Sequence, residues 1–407
     1  MWDRPGFDQG PRGATRPAAE RFAALFPLLL ATMASQGVLV VLGPTIVDVG
    51  RSLDASVGAV GQARTVAAAA AISCAALVPG ALGRFGLRGV LAIGVGFAVA
   101  GSAAAAAAPT LALYLAAHVA LGAGLGLLLS GGFAGVAAFP TGERGWAMGY
   151  VASANALAWI LANPVIGVLA AEISWRAAQL VPAVLALAAL AALPWVPTLG
   201  SAPARRGALR ACASERGARR WAIAEALAYC AWAGALLTYV GAFFIQRYDI
   251  SEALAGVLLA GGAGAYVVAS VRSGALTARF PREPLMRVAA LAMSALFVVL
   301  FALDAGLALS FALFCAIALL AGVRTPASAA LGMAQLPGQP ATMMAVRTGV
   351  TQLGYLVGAA AAGAVLGFAS YEALGAAFAV VMVASAWAMT AVPDPEAARP
   401  RAGVAAG

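Results

Sequence analysis

The sequence predicts an all-α membrane protein of twelve spans arranged as two six-helix halves. Three observations predict it. Of the 407 residues, 63% are hydrophobic and only 10% charged, too little charge to cover a soluble domain of this length. Apolar stretches of about 18 residues or more recur along the chain, each able to cross a hydrocarbon layer of about 30 Å. Short phrases in the connectors also return at a near-constant spacing of 194 to 196 residues. The apolar runs are continuous rather than alternating, which excludes barrel strands and leaves helices as the spanning element.

In chain order, residues 1–21 are polar and hold Pro5, Pro11 and Pro17, the composition of a disordered tail. The run that follows is too long for a signal-peptide core and lacks a clear cleavage site, so it reads as an uncleaved first span. The expected spans are 22–49, 57–79, 88–108, 111–138, 146–171 and 176–197, then 221–246, 252–275, 285–303, 306–332, 342–367 and 371–392. The connector 198–220 is the longest polar segment between spans and divides the chain into halves 22–197 and 221–392. It carries Arg205, Arg206, Arg210, Arg216, Arg219 and Arg220 against one acid, Glu215. Residues 393–407 form a second tail.

The net charge is +9, and every one of the 25 basic side chains is arginine. They are scattered among short connectors, a pattern of membrane topology rather than of a phosphate-binding surface, so no nucleic-acid partner is expected. With the amino terminus in the cytoplasm, 21 arginines fall on that side. Only Arg51, Arg64, Arg176 and Arg247 fall on or towards the other. The positive-inside rule then predicts a multi-pass protein of the cell (inner) membrane with both termini cytoplasmic. Cys74, Cys212, Cys230 and Cys315 lack metal-ligand spacing and read as buried thiols. No HExxH, GxSxG or P-loop is present, and a single histidine cannot build a His-rich metal site. Neither an enzyme nor a cofactor or metal site is expected.

"GALGRFGLR" at Gly80–Arg88 is echoed by "GALTARFPR" at Gly274–Arg282, "WAM" at 146–148 by "TMM" at 342–344, and "SWRA" at 174–177 by "SYEA" at 370–373. Matched turns in one register indicate two six-helix repeats, a construction of many secondary transporters. With these turns in place, the sequence resembles the major facilitator superfamily over Phe22 to Val392. The family's signature between its second and third spans, roughly G-x-L-x-D-R-x-G-R-R, is similar to the segment holding Gly80, Gly83, Arg84, Gly86 and Arg88. Gly83 stands where that signature has aspartate, so this helix 2–3 gating loop keeps its arginines but lacks the acid of the usual charge relay. "ANPVIGVL" at 162–169, with Asn163, Pro164 and Gly167, resembles the G-P-x-x-G signature of the family's drug–proton antiporters, Asn163 replacing the first glycine. "HVALGAGLG" at 118–126 places His118 where the family often carries an arginine tied to proton coupling.

The resemblance implies a central cavity worked by alternating access, with a small-molecule substrate, protons as coupling ion, membrane lipids as surroundings and no oligomerisation requirement. Ionisable groups inside a membrane helix are costly and mark candidates for function. Arg64 and His118 lie about two turns into spans 2 and 4. Asp48 closes span 1 and is placed to pair with Arg64, either as a clamp or as part of the coupling site. Gly122 and Gly126 share a face with His118 and are expected to leave room beside its ring. A histidine in water titrates near pH 6.5, which makes His118 either the proton-sensitive group or a satisfied core residue. Polar lining candidates are Asn155 and Asn163, Tyr229 and Tyr239, and Gln352 and Tyr355. Glu225 is expected to answer Arg219 and Arg220, with Arg324 and Arg347 as snorkelling anchors or gate contacts on the cytoplasmic side. The function expected is proton-coupled export of small amphipathic organic compounds by a monomer. The alternatives are a proton-coupled importer of a metabolite such as a sugar or organic acid, and a non-transport receptor or scaffold.

Overall fold

The computed structural model describes residues 18–140, 142–198, 212–303, 306–336 and 340–395. Most of the two tails, the part of the long connector holding Arg205, Arg206 and Arg210, and the break at Asp304 lie outside the described residues. Among those described there is no strand.

Helix α1 runs over Ala18–Val40 and continues past a break at Val41 as Leu42–Ser52. Pro44 has no N–H to give to the carbonyl four residues earlier, which accounts for the interruption. Spans 2 and 3 run as helix over Val57–Ala107 with a single non-helical residue, Gly86, at φ 65° and ψ 178°. A straight helix of that length would reach about 76 Å, over twice a bilayer core. The packing shows that it folds back. Gly122 and Gly126 of α4 (Leu111–Gly135) lie on the backbone at Ala67 and Ala71, while Gly124 meets Ala98 and Leu121 meets Gly101. Both arms, α2 (57–85) and α3 (87–107), therefore flank the same helix, one parallel to it and one antiparallel. Only glycine adopts the positive φ of that turn without steric cost.

The first half is completed by α5 (Arg144–Glu172) and by α6, made of Trp175–Ala178 and Val181–Ala191. The second half begins with α7, built as Arg216–Tyr229, a π-helical segment Cys230–Leu236, and Leu237–Tyr248. It continues as α8 (Glu252–Arg279), α9 (Arg282–Ala302), α10 (Gly306–Ala334), α11 (Pro340–Phe368) and α12 (Tyr371–Met389). Twelve crossings are thus present among the described residues. Their boundaries differ from the expected ones mainly at residues 18–21, 80–85, 216–220 and 276–279, which are helical rather than tail or connector, and at 192–197, which lie beyond the last α-helical residue of α6. Charged residues at those ends do not stop the helices, since their side chains project into the aqueous boundary.

The echoed phrases have matching structural roles. Ser174 accepts a hydrogen bond from Ala177 N and Ser370 one from Ala373 N, so both N-cap the last helix of their half. Ser56 and Ser251 do the same for α2 and α8. Arg88 donates to the carbonyls of Pro194 (2.7 Å) and Val196 at the end of α6. Arg282, its counterpart, grips Asp394 beyond the end of α12, with Nη2 to Oδ1 at 2.5 Å and Nε to Oδ2 at 3.1 Å. The repeated arginine thus ties the third helix of each half to the end of the sixth.

Lipid is as apolar as leucine, so close backbone approach and van der Waals packing hold such helices together. The chain spends its 47 glycines accordingly. Where the halves meet, Gly58 of α2 lies against the Gly363 backbone of α11, and Gly256 of α8 against Asn163 of α5. Gly241 of α7 lies against Gly43 of α1. Exchanging each helix with the one six places on turns the α2–α11 contact into the α8–α5 contact and maps α1–α7 onto itself. That relation is the pseudo-two-fold expected of two repeats.

Candidate functional site: the cleft between the halves

The inter-half contacts lie towards one end of the molecule, far from residues 18 and 395, where the described chain begins and ends. There Tyr239 turns its hydroxyl to the carbonyls of Ala359 (3.2 Å) and Gly58 (3.4 Å), and Gln62 donates to Ala360 O. Gly61 leaves the space that the Tyr239 ring fills. Gly167 abuts Glu252 and Ala253. The terminal segments of α1 and α7, Ala18–Val40 and Arg216–Tyr229, pack instead within their own halves. Towards that end a side chain added at Gly80 or Gly83 of α2, Gly149 of α5, Gly274 of α8 or Gly349 of α11 would meet nothing within 4 Å beyond its own helix. Among the described residues the named contacts between the halves gather at the far end and none joins them at the end where residues 18 and 395 lie, so the interface reads as a cleft closed at the far end. Beyond the seal lies a separate recess of about 730 Å³, lined by Arg51, Asp54, Arg247 and Glu372 among others.

Just beneath the seal sits Arg64, 2% exposed. Its Nη2 donates to Leu39 O, while Nε and Nη1 have no partner. The guanidinium carbon lies 5.9 Å from the centre of the Trp159 ring and 5.7 Å from that of Tyr355, within cation–π range of both. Trp159 is oriented by its Nε1–H, which donates to Gln36 Oε1 at 3.0 Å. Tyr355 stands edge-on to Tyr229, with centroids 6.1 Å apart. The expected Asp48–Arg64 pair is not formed. Asp48 contacts Arg51 one turn along its own helix at 3.4 Å, because Asp48 points to the far-end surface and Arg64 into the interior.

Glu225 is fully buried, and its partners correct the expectation from sequence. Arg324 Nη1 donates to its Oε2 at 3.0 Å, Ser328 Oγ to the same oxygen at 2.7 Å, and Arg347 Nη2 lies 3.2 Å from Oε1. Arg347 Nη2 also donates to Tyr229 OH at 3.1 Å. Arg219 and Arg220 turn away, donating to the carbonyls of Ala213 and Ala391. A buried carboxylate needs opposite charge at hydrogen-bonding distance, and neighbours in the first turn facing the headgroups cannot supply it. Arg324 and Arg347 are interior partners joining α7, α10 and α11, and Trp221 backs them by donating to Ser328 O at 2.9 Å.

His118 is also buried, 2% exposed, inside the first half. Its Nδ1 lies 2.8 Å from Tyr114 O. A carbonyl only accepts, so Nδ1 carries the proton, and Nε2 is left unpartnered. Its place at the level of Arg64 follows from the parallel register that sets Gly122 on Ala67. The room expected beside the ring does not exist, since Gly122 and Gly126 are filled by the α2 backbone.

Of the other lining candidates, Tyr229, Tyr355 and Asn155 are half-buried near the cleft, while Tyr239 belongs to the seal. Asn163 is buried, its amide donating to Trp159 O, and Gln352 is buried with its Oε1 unpaired. Pro164 lies within α5 and Gly167 touches α8. In the α2–α3 turn Gly80 and Gly83 face open space, and Arg84 lies 5.3 Å over the ring of Phe85. Sequence reasoning missed Trp159, Gln36 and Ser328. Trp159 carried one signal, an indole N–H inside an apolar helix that needs an acceptor. Among the described residues no group of three His, Cys, Asp or Glu is placed to hold a metal ion, and all four cysteines are free.

The family model described as Major Facilitator Superfamily matches residues 28–240 and 221–406. The chain belongs to the Major Facilitator Superfamily. It is a multi-pass membrane transporter of a small molecule rather than an enzyme. Solved structures of similar shape include a D-xylose–proton symporter at 16% identity and TM-score 0.74, covering 92% of this chain and 98% of that one. The xylose transporter XylE from E. coli, in an inward open conformation, is 15% identical with TM-score 0.72, covering 92% and 96%. A variant of the nucleoside transporter NupG is 14% identical with TM-score 0.75, covering 92% and 99%. At such identities the likeness concerns the fold alone. No curated protein matches the chain.

Proposed function

We propose that the chain is a proton-coupled secondary transporter that carries a small organic molecule across the cell membrane by alternating access. The observation that carries this reading is the cleft between two pseudo-symmetric halves. Its seal rests on glycine contacts and single hydrogen bonds, which two rigid bodies can break and remake by rocking. The arginine bias of the open end supports placing it, with both termini, in the cytoplasm. The protein works as a monomer in this reading, because each half finds its partner within the chain.

Export is the direction favoured, on the resemblance of the Asn163–Gly167 segment to the antiporter signature and on that segment's place in the far-end seal. Import is the second reading, favoured by the similarity in fold to a D-xylose–proton symporter and a nucleoside transporter. Proteoliposomes holding the purified chain under an imposed pH gradient separate the two. Counter-movement of proton and substrate is the expected result. Co-movement establishes the importer, and flux indifferent to the gradient removes proton coupling.

A further inference from the structure

A guanidinium withdrawn from water ordinarily acquires a carboxylate, because an unpaired buried charge is costly. Arg324 has Glu225 and Arg282 has Asp394. Arg64 is as deeply buried and has no carboxylate partner. One nitrogen reaches Leu39 O and two have nothing to donate to. The unpaired donors sit between two half-buried π faces, Trp159 from the first half and Tyr355 from the second, in the layer just below the seal.

The wider field has the same sign. Glu225 is outnumbered by Arg324 and Arg347, so that cluster is also net positive. Arg347 reaches towards Arg64 through Tyr229 and Tyr355, with its guanidinium carbon 5.7 Å from the Tyr229 ring. No described carboxylate answers Arg64, so a permanent cation entering this layer meets repulsion without compensation.

Resting on the transporter reading above, we infer that Arg64 anchors the negative group of the transported molecule, and that the substrate is an organic anion whose planar ring packs against the half-buried Trp159 and Tyr355 that flank the guanidinium. Anion and guanidinium neutralise each other where water is excluded, the condition under which such a pair is strongest. The two rings add stacking area from opposite halves, so the bound molecule bridges the surfaces that separate when the cleft changes sides. An inorganic anion satisfies the charge but not the rings, and a neutral ring the reverse.

The test uses the full chain in detergent, with tryptophan fluorescence as readout and four probes: benzoate, its neutral isostere benzamide, the cation benzyltrimethylammonium, and acetate. Benzoate is expected to quench saturably, benzamide to bind at least tenfold more weakly, and the other two not to compete. Arg64→Gln is expected to weaken benzoate at least tenfold and leave benzamide unchanged, with Arg64→Lys between. Benzamide or the cation binding as well as benzoate overturns the inference, as does no benzoate binding, or an Arg64→Gln chain that still prefers benzoate. The probe series on the unmodified chain needs no variant, so it decides even where Arg64→Gln does not fold. Flux of a neutral or cationic compound in proteoliposomes would retain the transporter reading while removing this one.

Discussion

Two residues in the membrane interior illustrate how a charge there is tolerated. Glu225 of α7 is held by two arginines and a serine from two other helices, α10 and α11. Removing it leaves Arg324 and Arg347 buried without a carboxylate, and breaking a buried ion pair from one side typically costs about 3–5 kcal/mol. Glu225→Ala is therefore expected to lower the thermal midpoint of the detergent-solubilised chain markedly. Glu225→Ala combined with Arg324→Met should recover part of that loss, and equal midpoints for all three proteins would show the cluster to be energetically idle. His118 is tested differently, by asking for charge rather than stability. Glutamine can still hydrogen-bond Tyr114 O but cannot bind a proton at neutral pH. His118→Gln is expected to abolish drive by the pH gradient while substrate exchange without a gradient persists. Drive that survives with its pH profile unchanged assigns coupling to an acid, Asp48 or Glu225.

The helices are shaped by where glycine and proline fall. Gly86 turns α2 into α3, Pro44 interrupts α1, and a π segment interrupts α7 where Gly234 rests on Gly354 and Gly358 of α11. π segments are frequent at functional positions, and this one follows Tyr229 directly. The seal gives the sharpest prediction for an element. A side chain at Gly58 or Gly167 meets backbone of the opposite half, which cannot give way. Gly58→Leu and Gly167→Leu are expected to hold the far end open. Labelling of Asn155→Cys, half-buried near the cleft below the seal, in a chain whose four native cysteines are replaced, by a membrane-impermeant maleimide from outside the cell should then quicken several-fold. Gly80→Leu enters open space and should leave that rate unchanged. Equal rates in all three variants would mean that these contacts do not seal the cleft.

For the whole molecule, the arginine distribution and the pseudo-two-fold make a joint prediction. Cysteine placed at Ser370, in the last far-end turn, is expected to react from outside intact cells. Cysteine at Ser214, at the opposite end, is expected to react only after permeabilisation. The reverse pattern would invert the orientation and with it the side to which the cleft opens. The two-fold also explains why each half lacks something alone. The outward-facing apolar side chains, such as Val271, Val288 and Trp387, require lipid, but the glycine faces of α2, α5, α8 and α11 require the other half.

The sequence by itself determined the class, the twelve crossings, the repeat and the superfamily, because membrane solvation acts on each segment separately and leaves its mark in local composition. It also located Arg64, His118, Glu225, Arg324 and Arg347, since an ionisable residue stands out in an apolar run. Which of these meet was decided only by the tertiary structure. Glu225 lies 99 residues from Arg324 and 122 from Arg347 along the chain, and no local rule prefers those partners to the nearby Arg219 and Arg220. The same holds for Gly122 and Gly126, whose missing side chains read as open space beside His118 until α2 is seen to occupy it. Composition records what a segment can dissolve in, whereas pairing depends on which helices the fold sets side by side and at what register.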